Sequence, residues 1–218
     1  MKQIKLSPSS LSLMKNCPIC FWLDKHGVWK RPSGIFPTLP SGMDKILKIH
    51  FDKFRDRGKL PPELCNHEHC DDMKLFDDKE LLEFWRNNFK GLRYEYECGN
   101  VLFGAVDNVL VHGKKLIILD YKTKGFPIKD ENESAQYYQN QLDIYNFLLR
   151  KNGYETEDYA FLLFYVPQVV TETGEVIFST CLVKRKIDID NAEDLFNKAI
   201  KLLNSDCPTE CCEWCDGK

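Results

Sequence analysis

The stretch Gly104-Ala-Val-Asp-Asn-Val-Leu-Val-His-Gly-Lys-Lys-Leu-Ile-Ile-Leu-Asp-Tyr-Lys122 decides how this chain folds. Leu102 to Val111 alternates towards apolar residues, and Leu116 to Leu119 is a continuous apolar run, as in a strand covered on both faces. His112-Gly113-Lys114 supplies a turn between the two, since Gly113 accepts a positive φ. Gly104 leaves a gap where a side chain would obstruct an approaching backbone. The apolar run stops at Asp120-Tyr121-Lys122-Thr123. On an extended chain Asp120 and Lys122 point the same way, and Asp107 lies on the partner strand. Two carboxylates and an ammonium at one end of a buried sheet are costly as structure alone. They make chemical sense if the carboxylates hold a divalent cation while the lysine steadies a nucleophilic water or a developing negative charge. The bland alternative is a pair of strand-end aspartates with a solvated lysine, so further matches must carry the case.

Those matches are present. Gly-x-x-Asp (Gly104 to Asp107), Asp-Tyr-Lys-Thr (Asp120 to Thr123) and Gln-x-x-x-Tyr (Gln141 to Tyr145), in that order, resemble the PD-(D/E)XK nuclease superfamily. The similarity is to its RecB-type branch, which includes the RecB and AddB nuclease domains and the CRISPR-associated RecB-like exonuclease. The resemblance implies an α/β, restriction-endonuclease-like fold, a mixed sheet flanked by helices. It implies a metal-dependent DNA exonuclease that hydrolyses phosphodiester bonds in CRISPR adaptation or in DNA recombination and repair. In it Asp107, Asp120 and His50 hold Mg²⁺ or Mn²⁺ with the Tyr121 carbonyl, and Lys122 positions the nucleophile. An imidazole beside carboxylates suits Mn²⁺ better than Mg²⁺. Gln141 and Tyr145, four apart and so neighbours on a helix, contact DNA or orient the lysine and the water. DNA is the implied partner, joined by an integrase complex if the setting is CRISPR adaptation. His50 also lies on an apolar stripe with Ile46, Leu47, Phe51 and Phe54, where a satisfied core histidine is the ordinary reading.

The composition sets bounds. A chain of 218 residues with 43% apolar content predicts one nuclease domain, residues 1–218. Within it, 1–90 is a helical region, 91–204 the core and 205–218 a cysteine-rich tail. No apolar run is long enough to span a membrane and no signal-peptide pattern opens the chain, so a cytoplasmic protein is expected. The net charge of −3 does not advertise nucleic-acid binding, although clustered metal-binding acids lower the total without repelling DNA once the metal is bound.

Ten cysteines in such a chain argue for metal or cluster ligation over disulfides. Cys17 follows a helix opened by Ser7-Pro8, and Cys20 stands at Cys-x-x-Cys spacing from it. The tail carries Cys207, Cys211, Cys212 and Cys215. The family resemblance implies a [4Fe–4S] cluster on Cys17, Cys207, Cys212 and Cys215, stapling the two ends of the domain. A Zn²⁺ site on Cys17, Cys20, Cys212 and Cys215 fits as well. Cys65, His67, His69 and Cys70 have zinc-ligand chemistry, but their spacing is tight for all four to reach one tetrahedral ion, so a bound metal and a solvated polar loop are both open readings. Other expected helices are 77–88, 134–150 and 190–203, with a loop over 29–40, and further strands are 93–98, 159–166 and 176–184. A non-catalytic DNA-binding or protein-interaction module stabilised by zinc or an iron–sulfur site is the alternative function.

Overall fold

A computed structural model describes residues 3–34, 37–65 and 67–216. Its centre is strand β6 (Lys115–Thr123), which pairs antiparallel with β5 (Asn108–His112) and parallel with β7 (Tyr159–Val170). With β2 (Met73–Leu75) and β8 (Val176–Lys186) these form a five-stranded sheet in the order β2-β5-β6-β7-β8. Gly113 turns the β5–β6 hairpin at φ 59°, as its lack of a Cβ predicts. Both faces of β6 are covered. Leu116 and Ile118 enter one core with helix α7 (Gln139–Lys151), while Ile117, Leu119 and Tyr121 enter another against α3 (Thr38–Arg55). This two-sided burial is why the strand reads as an unbroken apolar run. Mixed sheets flanked by helices are the fold class that the sequence leads one to expect.

The expected strand from Leu102 to Val111 is two strands. Strand β4 (Val101–Gly104) belongs to a separate sheet with β1 (Lys5–Leu6) and β3 (Leu92–Glu95), in the order β1-β4-β3. The chain leaves that sheet at Ala105 and joins the larger one at Asn108. Trp85 O accepts from the Val106 N–H, and Arg86 Nε donates to the Asp107 carbonyl, so helix α5 (Lys79–Trp85) and the residue after it fix the crossing. Asp107 is therefore presented by a pinned break between sheets. Arg55, buried at the end of α3, donates to Asn108 Oδ1 and the Phe76 carbonyl, and Asn108 donates to the Tyr121 hydroxyl. This polar belt ties α3 to the strands beneath it.

Helix α1 (Pro8–Asn16) starts on a reciprocal Ser7–Ser10 capping box, and Cys17 ends it while capping α2 (Pro18–His26). Helix α3 starts at Thr38, inside the expected loop, of which Ile35 and Phe36 lie outside the described residues. The expected helix over 134–150 is divided into α6 (Glu131–Gln136) and α7, with Tyr137 and Tyr138 between them. Helix α4 (Pro62–Cys65) is a single turn, and α8 (Ile189–Leu203) closes the fold before the tail. No helix of the described residues is long and apolar enough to cross a membrane.

Candidate active site

Because even-numbered residues of β6 face α7, Asp120 and Lys122 follow Leu116 and Ile118 onto that side. Asp120 is 1% exposed. Its Oδ2 is held against Lys122 Nζ, yet it has no well-formed hydrogen bond among the described residues. Burial pushes its pKa up to about 7, against the pull of Lys122, and the Asp107 carboxylate adds to the rise. Lys122 is held above the usual lysine range: burial opposes its charge, but the Asp120 and Asp107 carboxylates outweigh that. The Tyr138 ring lies 4.7 Å from Lys122 Nζ and confines it from the other side.

Asp107 Oδ2 accepts from the Tyr121 N–H at 3.1 Å, which locks the carboxylate beside β6. Its other oxygen is 3.1 Å from Lys48 Nζ, and Lys48 is also 2.8 Å from Asp44 Oδ2. Asp44 and Lys48 are four apart on α3 and so share one face of it. Burial raises the Asp44 pKa, and the neighbouring Asp107 carboxylate raises it further. Three carboxylates therefore meet two lysines at one end of the sheet. Carboxylate oxygens gathered in this way are the donors a hard divalent cation takes, so the residues fit that ion in the chemistry of their donors.

Gln141 and Tyr145 are brought to the same place: Gln141 Nε2 donates to the Tyr145 hydroxyl at 2.8 Å. Burial and the Asp120 and Asp107 carboxylates hold the Tyr145 phenol above its usual range. Gly104 makes room for it. A Cβ at Gly104 would stand 2.6 Å from Tyr145 Cε1, so the obstruction that glycine avoids is with this ring, where a backbone had been expected. Beside Tyr145 runs an open groove of about 670 Å³, lined by Ser9, Ser12, Phe103, Tyr137, Tyr138 and Gln141.

The structure places His50 elsewhere. Two residues beyond Lys48 it is about 200° further round the helix, and its Nε2 lies 3.1 Å from Glu63 Oε1, which also accepts from the Tyr165 hydroxyl. The α3 carboxylate that lies beside Asp107 is Asp44, whereas His50, which the family resemblance implied as a metal ligand, faces Glu63. The signal for Asp44 was a D-x-x-x-K pair on a helix whose other face is apolar. Tyr121 turns its side chain to the opposite face, towards Asn108, and offers this side only its backbone.

The cysteines divide in the same way. Cys17, Cys20, Cys212 and Cys215 converge, with all four sulfurs within 4.8 Å of one another. Cys207 is exposed and stands outside this group, as does Cys211, so Cys20 takes the place expected for Cys207. Of the other candidate cluster, Cys65 is exposed, Cys70 is buried in the α3-side core and the His67 and His69 rings lie side by side, 5.2 Å apart. Those four do not converge, and Asn66 between them lies outside the described residues.

Residues 5–217 match the sequence profile of the PD-(D/E)XK nuclease superfamily, and the chain belongs to that superfamily. No curated protein matches the sequence significantly. Among solved structures it is similar to one described as the crystal structure of SSO0001, at 14% identity and a TM-score of 0.42. That match covers 94% of this chain and 79% of the other.

Proposed function

We propose that the chain is a metal-dependent deoxyribonuclease of the RecB type that degrades DNA from strand ends. The observation that carries this reading is the convergence of Asp44, Asp107 and Asp120 with Lys48 and Lys122 at the end of β6. A Mg²⁺ or Mn²⁺ ion bound there would supply Lewis acidity at the phosphodiester and activate the attacking water. Asp44, Asp107 and Asp120 bind the ion, with the Tyr121 carbonyl as a further donor. This all-oxygen set suits Mg²⁺ and Mn²⁺ alike, and it removes the imidazole that favoured manganese. Lys122, fixed between Asp120 and Tyr138, offsets the negative charge that grows on the phosphate. Gln141 and Tyr145 orient the substrate at the mouth of the site.

The groove beside Tyr145 supports a single-stranded end as the bound form. Its aromatic residues offer stacking faces to bases, and its serine hydroxyls offer hydrogen bonds without base preference. Digestion of end-labelled single-stranded and duplex DNA, with Mg²⁺, Mn²⁺ or EDTA, tests the reading. Cleavage that needs the metal and disappears in Lys122→Ala is expected. No cleavage by metal-loaded wild type sinks it, and a non-catalytic DNA-binding module takes its place.

A further inference from the structure

We infer that Cys17, Cys20, Cys212 and Cys215 bind one mononuclear zinc ion, not the four-iron cluster the family resemblance implies, and that Arg31 is the partner which offsets half of that site's charge. Four sulfurs around one zinc at about 2.3 Å each lie about 3.8 Å from one another. Here Cys17 and Cys215 are 3.7 Å apart, Cys20 and Cys212 3.6 Å, and Cys212 and Cys215 3.7 Å. In a [4Fe–4S] cube each thiolate takes a different iron, so the sulfurs must splay around a body of eight atoms. Four sulfurs all within 4.8 Å of one another leave no space for that body. They are also too far apart to be disulfides, whose bond is about 2.05 Å. Two Cys-x-x-Cys turns meet face to face, one from each end of the chain.

The surroundings fit thiolates better than thiols. The Cys20 N–H points to Cys17 Sγ at 3.5 Å and the Cys212 N–H to Cys215 Sγ at 3.3 Å, giving each turn a backbone donor that orients one of its two sulfurs. Arg31 donates to both Cys20 Sγ, at 3.2 Å, and Cys212 Sγ, at 3.3 Å, and its guanidinium lies 5.9 Å from the Trp214 ring centre. A neutral thiol is a weak acceptor and a poor reason to place a guanidinium there. A dication with four thiolates carries a net charge of −2, and Arg31 offsets half of it. The ion would tie α1 and α2 to the tail. Since α1 supplies Ser9 and Ser12 to the groove, metal loss should loosen that wall before it touches the carboxylates.

The test uses the full chain, purified anaerobically from cells supplied with both iron and zinc. About one zinc per chain, without acid-labile sulfide or visible absorption, is expected. Exchange with Co²⁺ should give the absorption of tetrahedral thiolate coordination. Cys20→Ser should lose the zinc and Cys207→Ser should keep it. Iron in place of zinc, with or without sulfide, overturns the inference, and so does a chain that binds neither metal. If Cys20→Ser does not fold, the wild-type Co²⁺ spectrum decides, since its absence is equally contradictory. Arg31→Gln should weaken zinc about 10- to 100-fold in competition with a chelator; unchanged affinity removes Arg31 from the account.

Discussion

Lys48 Nζ stands 3.1 Å from Asp107 Oδ1 while reaching Asp44 Oδ2 at 2.8 Å, so one ammonium bridges a carboxylate of α3 to the carboxylate presented at the break between the sheets. Without a cation, Lys48 is what keeps those two acids compatible. Lys48→Met should therefore destabilise the metal-free protein, because it leaves two adjacent carboxylates unpaired. The bound metal should then restore more stability than in wild type. The rise in melting temperature on adding Mn²⁺ should be larger for Lys48→Met; an equal or smaller rise would show that Lys48 does not share the site.

Asp120 gives the site a pH dependence. Its folded-state pKa of about 7 is above the ordinary 3.8, so burial of its charge destabilises the fold at high pH. The relative stability from this group is fully present below pH 3.8 and is lost as pH rises through about 7. Metal-free wild type should lose stability relative to Asp120→Asn between those values. Thermal melts of both proteins at several pH values check this, and a difference independent of pH would contradict it. Protons and metal compete for the same carboxylate, so metal affinity should fall as pH drops through about 7.

Gly104→Ala would put a Cβ 2.6 Å from the Tyr145 ring, which lies on the buried side of α7. Overpacking of this kind costs about 1–3 kcal/mol. The cost should shrink in the double variant with Tyr145→Ala, since the two residues touch. Denaturant melts of the four proteins measure the coupling, and additive effects would refute the contact.

Tyr137 is 80% exposed at the edge of the groove, its ring edge-on to Tyr138 at 5.0 Å and its face open to solvent. If it stacks on a base, Tyr137→Ala should weaken binding to a single-stranded oligonucleotide by about 1–3 kcal/mol. It should leave the melting temperature unchanged. Fluorescence anisotropy in EDTA, where no cleavage interferes, gives the comparison.

The parts of this molecule that could be read from the chain are those in which local pattern and tertiary role coincide. The run Leu116–Leu119 is apolar throughout because β6 is covered on both sides, and Asp120 and Lys122 project together because a strand has a period of two. The break at Ala105–Asp107 left no such trace. It depends on Arg86 and Trp85 holding the backbone from another helix, and alternation alone runs straight through it. His50 and Asp44 show the same limit. Both lie on α3, and only the way that helix docks decides which of them turns towards Asp107. Cys20 and Cys207 were separated by a contact between the chain's two ends: the two Cys-x-x-Cys spacings had offered the four sulfurs that converge, as a zinc set, while the family resemblance had offered Cys207 in place of Cys20.

The most direct measurement compares Mn²⁺-dependent digestion of end-labelled DNA by wild type, Asp44→Asn and His50→Ala, alongside Mn²⁺ affinity by calorimetry. If the carboxylate group around Asp107 is the metal site, Asp44→Asn should lose at least about 100-fold in metal affinity, beyond the usual loss for an outer partner. Its cleavage should fall with it, while His50→Ala keeps both. The opposite pattern, an active Asp44→Asn and a dead His50→Ala, would contradict the account at its centre.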